Sequence, residues 1–244
     1  MKILAVDSSN SAASVAICED DKIISEFFIN AGLTHSETLA PMIDASLKSS
    51  KITPQEIDLY SVTCGPGSFT GLRIGLATVK AMAFAGGKPC ARVSSLEALA
   101  QNCLDFLLND DIICVCVDAK CGGIYNALFR CVIEPENKKI IRLCEDRAIF
   151  PEDLTAELQN LEYNINFVGD GALMCYNTMG ESFGFDNLKL AFSQDNYINA
   201  VKVAHLSKKL YDEGLIVSAL DLNPNYIKIP QAERMLKENK LKIN

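Results

Sequence analysis

Polar and apolar residues alternate through three consecutive short stretches, residues 3–9, 13–19 and 22–29, separated by the tight polar turns Ser8-Ser9-Asn10 and Glu19-Asp20-Asp21. A period of two puts successive side chains on opposite faces, so each stretch reads as a strand, and turns this short leave only an antiparallel meander. A chain that begins this way commits to a mixed sheet with one face to cover.

Helical patterns follow at once. Thr34-His35-Ser36-Glu37 has the spacing of a capping box, and Leu39, Met42, Ile43 and Leu47 continue at helical spacing to about residue 49. Thr53-Pro54-Gln55-Glu56 repeats the signal in a shorter form. Residues 59–64 read as a strand, 65–71 as a loop into a helix over about 71–85, then come a strand at 89–93 and a helix at 95–108. A second set begins at Asp111, with strands at 112–117, 124–133, 139–148 and 165–169, a helix after Pro151 and another over about 197–213. The expected fold class is therefore α/β: two ribonuclease H-like lobes of mixed sheet plus helices, the arrangement of the actin-like ATPase fold. The expected lobes are 1–107 and 108–244, with a hinge near 104–111 and the 197–213 helix able to pack across them.

Bulk composition narrows the function classes. With 244 residues and 49% hydrophobic content the chain can bury a sizeable core. No apolar run approaches the roughly 20 residues that span a bilayer, and no leader is evident, so a cytoplasmic protein is expected. Ten cysteines, mostly in apolar stretches such as those of Cys18, Cys114 and Cys116 and never as CxxC, read as reduced, core-filling thiols. A net charge of −8 argues against an autonomous nucleic-acid binder, because phosphates are held by clustered Lys and Arg.

Three segments carry candidate chemistry. Asp7-Ser8-Ser9, at the end of the first strand, can hold phosphate oxygens or a hydrated metal, or can be an ordinary turn. Asp118 and Asp170, each after a strand and before glycines, can face an interlobe cleft or simply turn the chain. The run Gly65, Pro66, Gly67, Ser68, Phe69, Thr70, Gly71 leads into a helix N-terminus. It lacks the ending of a P-loop and reads either as an anion site or as a structural turn with Phe69 buried and Arg73 paired locally. The helix it feeds is apolar on nearly all sides, which one sheet cannot cover. Leu72, Ile74, Gly75, Thr78, Val79 and Met82, with Leu39, Met42 and Ile43 of the first helix, are the candidate partner interface, intrachain core being the competing reading.

Catalytic signatures are sparse. His35 and His205 are the only histidines, stand far apart and read as surface or capping residues. No nucleophile elbow, activated cysteine or close carboxylate pair is evident. A small actin-like ATPase or kinase using Asp7 and Asp118 is the alternative from a different class.

In order along the chain, Val6-Asp7-Ser8-Ser9, Thr34-His35-Ser36-Glu37, Gly65-Pro66-Gly67-Ser68-Phe69-Thr70-Gly71-Leu72-Arg73-Ile74-Gly75, Val93-Ser94-Ser95-Leu96, Val117-Asp118-Ala119, and the closing Pro224-Asn225-Tyr226-Ile227 with Gln231-Ala232-Glu233-Arg234 resemble the bacterial TsaB (YeaZ) family over essentially all of the sequence. That resemblance implies the two-lobed actin-like fold. It also implies a scaffold role in the complex that makes threonylcarbamoyladenosine in tRNA, beside a TsaD-type catalytic subunit and a TsaE-type ATPase. Homodimers when alone, tRNA contact only through the complex, and no membrane are part of the same implication. No cofactor is required, with ATP or ADP compatible at a complex interface. Catalytic relatives carry a His-x-x-x-His metal pair where this sequence has Ser95 and Leu99, so neither peptidase nor independent transferase activity is expected despite the older M22 glycoprotease naming. The glycine-rich phosphate segment of the second lobe is matched only in part by Asp118-Ala119-Lys120-Cys121-Gly122-Gly123.

Overall fold

A computed structural model describes residues 1–227 except 121, 136, 160 and 162. Cys121 and the closing segment Gln231-Ala232-Glu233-Arg234 thus lie outside the described residues.

The meander forms as the alternation demands: β1 (Lys2–Asp7), β2 (Ala13–Glu19) and β3 (Lys22–Ile29) pair antiparallel. After α1 (His35–Ser50), β4 (Leu59–Thr63) pairs parallel with β1. α2 (Phe69–Gly86) leads to β5 (Cys90–Val93), which pairs parallel with β4. The first sheet has the order β3-β2-β1-β4-β5. α3 (Ser95–Asn102) is shorter than the sequence suggests and gives way to a 3-10 turn at Leu104–Phe106.

A second sheet repeats the plan with β6 (Ile112–Asp118), β7 (Ile124–Glu134) and β8 (Asn137–Arg142), the short β9 (Arg147–Ile149), α4 (Pro151–Leu158), β10 (Ile165–Val168), α5 (Ala172–Phe183) and β11 (Leu188–Leu190). Its order, β8-β7-β6-β10-β11, matches the first strand for strand, with β9 added on β7. Two such sheets are the two ribonuclease H-like halves of the actin-like fold. The expected strand over 139–148 is two strands, because the chain turns at residues 143–146 before Arg147 pairs with Asn126. α5 and β11 were not expected.

The last helix, α6 (Ala200–Asp212), follows the second sheet in sequence but packs against β1, β2, β4 and β5 of the first. α3 makes the reverse exchange and packs on β6 and β7. One apolar core consequently runs through both sheets, from Ile3 and Ala5 through Leu96 and Leu99 to Val115, Phe129 and Val203. Two polar contacts are satisfied inside it: the Ser61 and Ser207 hydroxyls bond each other, and the Ala200 amide donates to Ser14 Oγ at 2.9 Å. Beyond α6 the chain straps back over the first sheet. Val217 bridges Cys90, the Asn225 amide donates to the Cys64 carbonyl at 2.7 Å, and Lys80 Nζ reaches the Leu220 carbonyl at 2.8 Å.

Among the described residues no helix is long and apolar enough to cross a membrane. All nine described cysteines are free, eight of them buried, and burial pushes the Cys18, Cys64 and Cys90 thiols up to about 11. Thiols held in that range stay protonated and pack as small hydrophobes.

Candidate functional site

The glycines of the loop before α2 are there for close approach. A Cβ on Gly67 would collide with the Ser9 carbonyl oxygen, one on Gly71 with the Ser8 carbonyl oxygen, and one on Gly75 with Ser8 Oγ. Spaced four apart, these three glycines lay the first turns of α2 directly on the Ser8-Ser9 backbone. Ser8 Oγ donates to the Gly71 carbonyl at 2.9 Å and the Ser68 amide to the Ser9 carbonyl at 2.6 Å. Ser68 also caps the helix, its Oγ accepting from the Gly71 amide at 3.2 Å. Of the two readings of this loop the structure favours the turn, since these donors are spent on the fold.

Phe69 departs from expectation. It is half-exposed rather than buried, and Tyr226 of the strap stacks on it at 4.9 Å between ring centroids. The Arg73 guanidinium lies 3.8 Å from the Phe69 ring centroid, and its Nε donates to Tyr226 Oη at 2.9 Å.

Asp7 is fully buried beneath this junction. Its Oδ1 accepts from Thr63 Oγ1 at 2.6 Å, Ser9 Oγ at 2.7 Å and the Ser9 amide at 3.1 Å, while Oδ2 has no partner. Burial pushes the carboxyl above its ordinary range, against the pull of the Thr63 and Ser9 hydrogen bonds and the His35 charge. The native state therefore holds the Asp7 proton more tightly than the unfolded chain, and ionising this group costs stability that is regained as pH falls through the raised value toward 3.8. Asp7→Asn keeps an acceptor for the three donors. It is expected to stabilise the protein at about pH 8 and to do so less at about pH 4.5, as read by urea unfolding of both proteins at both pH values. An equal effect at the two values would contradict the assignment.

A cleft of about 750 Å³ opens between the halves. Ser9 and Asn10, the start of α1, the loop 66–72 and the strap's Tyr226 line one side; Asp118, Lys120, Tyr125 and Asp170 line the other. Asp118 accepts from the Lys120 amide and pairs with its Nζ, both at 2.7 Å, and its own amide donates to Asp170 Oδ1 at 2.8 Å. Of the expected nucleotide residues, Ser9 and Asp118 reach this cleft. Asp7 and Ser8 do not, because the meander turn folds them under α2. His35, expected at the surface or as a cap, belongs here: Nε2 contacts the Asn10 carbonyl at 2.7 Å and the ring edge packs on Gly71. His205 is exposed on α6.

Ser95 and Leu99 are both buried, Leu99 lying where a Cβ on Gly169 would touch it at 3.1 Å. Among the described residues no three His, Cys, Asp or Glu side chains converge on a common metal position.

The expected partner interface needs correction. Leu39, Met42 and Ile43 of α1 and Leu72, Gly75 and Val79 of α2 are buried inside the chain, packed with Leu4, Val6 and Tyr60 of the first sheet. Ile74, Thr78 and Met82 are half-buried. What α2 shows to solvent is the adjacent stripe Arg73, Ala77, Ala81 and Phe84, with Phe84 66% exposed. Ala40, Pro41 and Asp44 are among the solvent-facing positions of α1. A helix apolar all round is covered on one side by its own sheet and shows its small residues on the other.

Residues 29–213 match the family model described as TsaD: tRNA N6-adenosine threonylcarbamoyltransferase. The chain belongs to this family. Within it the chain is of the TsaB (YeaZ) kind. It is 28% identical over 233 residues to the tRNA threonylcarbamoyladenosine biosynthesis protein TsaB of Bacillus subtilis (strain 168), covering 96% of each. It is 26% identical to the protein of the same description from Haemophilus influenzae, over 93% of this chain and 94% of that one. Among solved structures it is similar to YeaZ from Pseudomonas aeruginosa, with a TM-score of 0.75 at 21% identity over 92% of this chain and 99% of that one. A second Pseudomonas aeruginosa structure, described as similar to peptidase YeaZ, gives 0.78 at 21% identity over 93% and 99%. Both solved structures share the two-sheet fold.

Proposed function

We propose that the chain serves the formation of threonylcarbamoyladenosine in tRNA as a non-catalytic partner that docks on and stabilises a TsaD-type catalytic subunit. The observation that carries this reading is the stripe Ala77, Ala81 and Phe84, a solvent-facing apolar flank bounded by Arg73, on a helix whose opposite side is already core. Small residues there let a second helix approach closely. In the absence of the catalytic subunit the same flank pairs two copies of this chain, and a TsaE-type ATPase completes the complex. RNA contact falls to the other subunits, in keeping with a net charge of −8.

Catalysis is assigned elsewhere because the positions that would bind a metal carry a hydroxyl and an alkyl side chain, Ser95 and Leu99. The same substitution speaks against peptidase activity. The cleft has the volume of a nucleotide site, so ATP or ADP contact at a complex interface is compatible with it. Turnover by Asp7 and Asp118 acting together is disfavoured, since Asp7 is sealed under Ser9 and Thr63.

Reconstitution tests the assignment. Modified tRNA should form from the catalytic subunit, the ATPase and threonylcarbamoyl-adenylate when this chain is present and fail to form when it is omitted. Undiminished modification without the chain would refute the role. Magnesium-dependent ATP hydrolysis by the isolated chain, abolished by Asp118→Ala, would replace it with the ATPase reading.

A further inference from the structure

The strap delivers the chain to the interlobe cleft. It is fixed step by step: Lys80 Nζ donates to the Leu220 carbonyl, the Asn225 amide to the Cys64 carbonyl, and Arg73 Nε to Tyr226 Oη, whose ring stacks on Phe69. Ile227 comes next and lines the cleft. Successive Cα atoms are about 3.8 Å apart, so whatever follows Ile227 starts at the cleft wall. Residues 228–244, seventeen in all, lie outside the described residues, but their composition is distinctive. They carry five Lys and Arg against two Glu, a net charge of +3 in a chain of −8, so that residues 1–227 carry −11. Ile229, Met235, Leu236, Leu241 and Ile243 are interleaved with these charges. The cleft suits such a segment. Its far wall presents Asp118 and Asp170 beside Lys120, and its near wall presents Leu33, 57% exposed, with the half-buried Phe69 and Ile74. On that near wall the Ser68 and Gly71 amides, which a phosphate would need, are spent on the Ser9 carbonyl and Ser68 Oγ.

We propose that residues 228–244 turn back along this cleft, their cations toward Asp118 and Asp170 and their apolar side chains on Leu33, Phe69 and Ile74, so that the isolated chain fills its own cleft. Length is no obstacle. Seventeen extended residues span up to about 56 Å, several times the roughly 9 Å edge of a 750 Å³ cavity. A tether this short holds the segment at an effective concentration on the order of millimolar, so contacts too weak to bind a free peptide suffice. ATP or ADP reaches the cleft only after the segment withdraws. The inference concerns the chain alone and stands whether or not the docking proposal holds.

Carbodiimide, which joins a lysine amine to a carboxylate in direct contact, tests this on the full chain. In an equal mixture of nitrogen-15-labelled and unlabelled protein, peptide mapping is expected to show Lys237, Lys240 or Lys242 joined to Asp118 or Asp170 within one chain. The Lys2–Glu56 pair, 3.5 Å apart, supplies the internal control. Hydrogen exchange gives a second reading: Lys237→Glu, Lys240→Glu and Lys242→Glu together should speed exchange over residues 31–36 about fivefold. The control product without the cleft product would overturn the proposal. So would closing-segment products that join two chains or form equally at the outlying Asp44 and Asp212, or exchange unchanged by the charge reversal.

Discussion

Gly71→Ala is expected to cost about 3 kcal/mol, lowering the melting temperature by about 6–12 °C. Elsewhere in a helix the same change gains up to about 1 kcal/mol through backbone entropy, so the contact decides the sign. The added methyl group meets the Ser8 carbonyl oxygen and then the His35 ring edge. The carbonyl belongs to the β1–β2 turn, whose neighbours Ser9 and Asp7 are held by their own hydrogen bonds. The turn cannot yield without breaking them. Gly86→Ala supplies the control, because an added methyl group there would meet only the Lys88 side-chain Cγ, at 3.3 Å, and no backbone atom. Equal stability of the two variants in urea unfolding would show that the glycines are not needed for close approach.

Ala81→Asp should leave the fold of the single, unpaired chain within about 1 kcal/mol of the unaltered protein, since the position is exposed, while weakening the pairing of two copies. In the docked complex the same carboxylate is desolvated without a partner, and the expected loss is about 3 kcal/mol, on the order of a hundredfold in Kd. Val79→Asp makes the contrast. Val79 is wholly buried against the first sheet, so that variant should fail to fold, and no docking defect could be read from it. Binding unaffected by Ala81→Asp would move the interface off this flank.

Features fixed by neighbours in sequence were legible. The capping boxes at Thr34–Glu37 and Thr53–Glu56 and the meander rest on local hydrogen bonds and a period of two, and all three are present. α5 escaped notice because Asn177, Thr178 and Gly180 are weak helix formers, and three-residue β11 is too short to show a period. The face of α2 was misassigned for a different reason. When every side of a helix is apolar, periodicity cannot say which stripe meets the sheet, so Leu72 and Val79 were as plausible outside as Ala77 and Ala81. The strap's contact with Phe69 depends on residues more than 150 apart, Arg73 and Tyr226, and carries no local signal. His35 was visible as a cap; only the fold brings Asn10 and Gly71 to it.

The most direct measurement is the mass, by size-exclusion chromatography with light scattering, of this chain mixed with its cognate TsaD-type subunit, with and without Ala81→Asp. The account predicts a stable heterodimer with the unaltered chain and separate species with the variant. No complex at micromolar concentration, or a complex indifferent to Ala81→Asp, would contradict it.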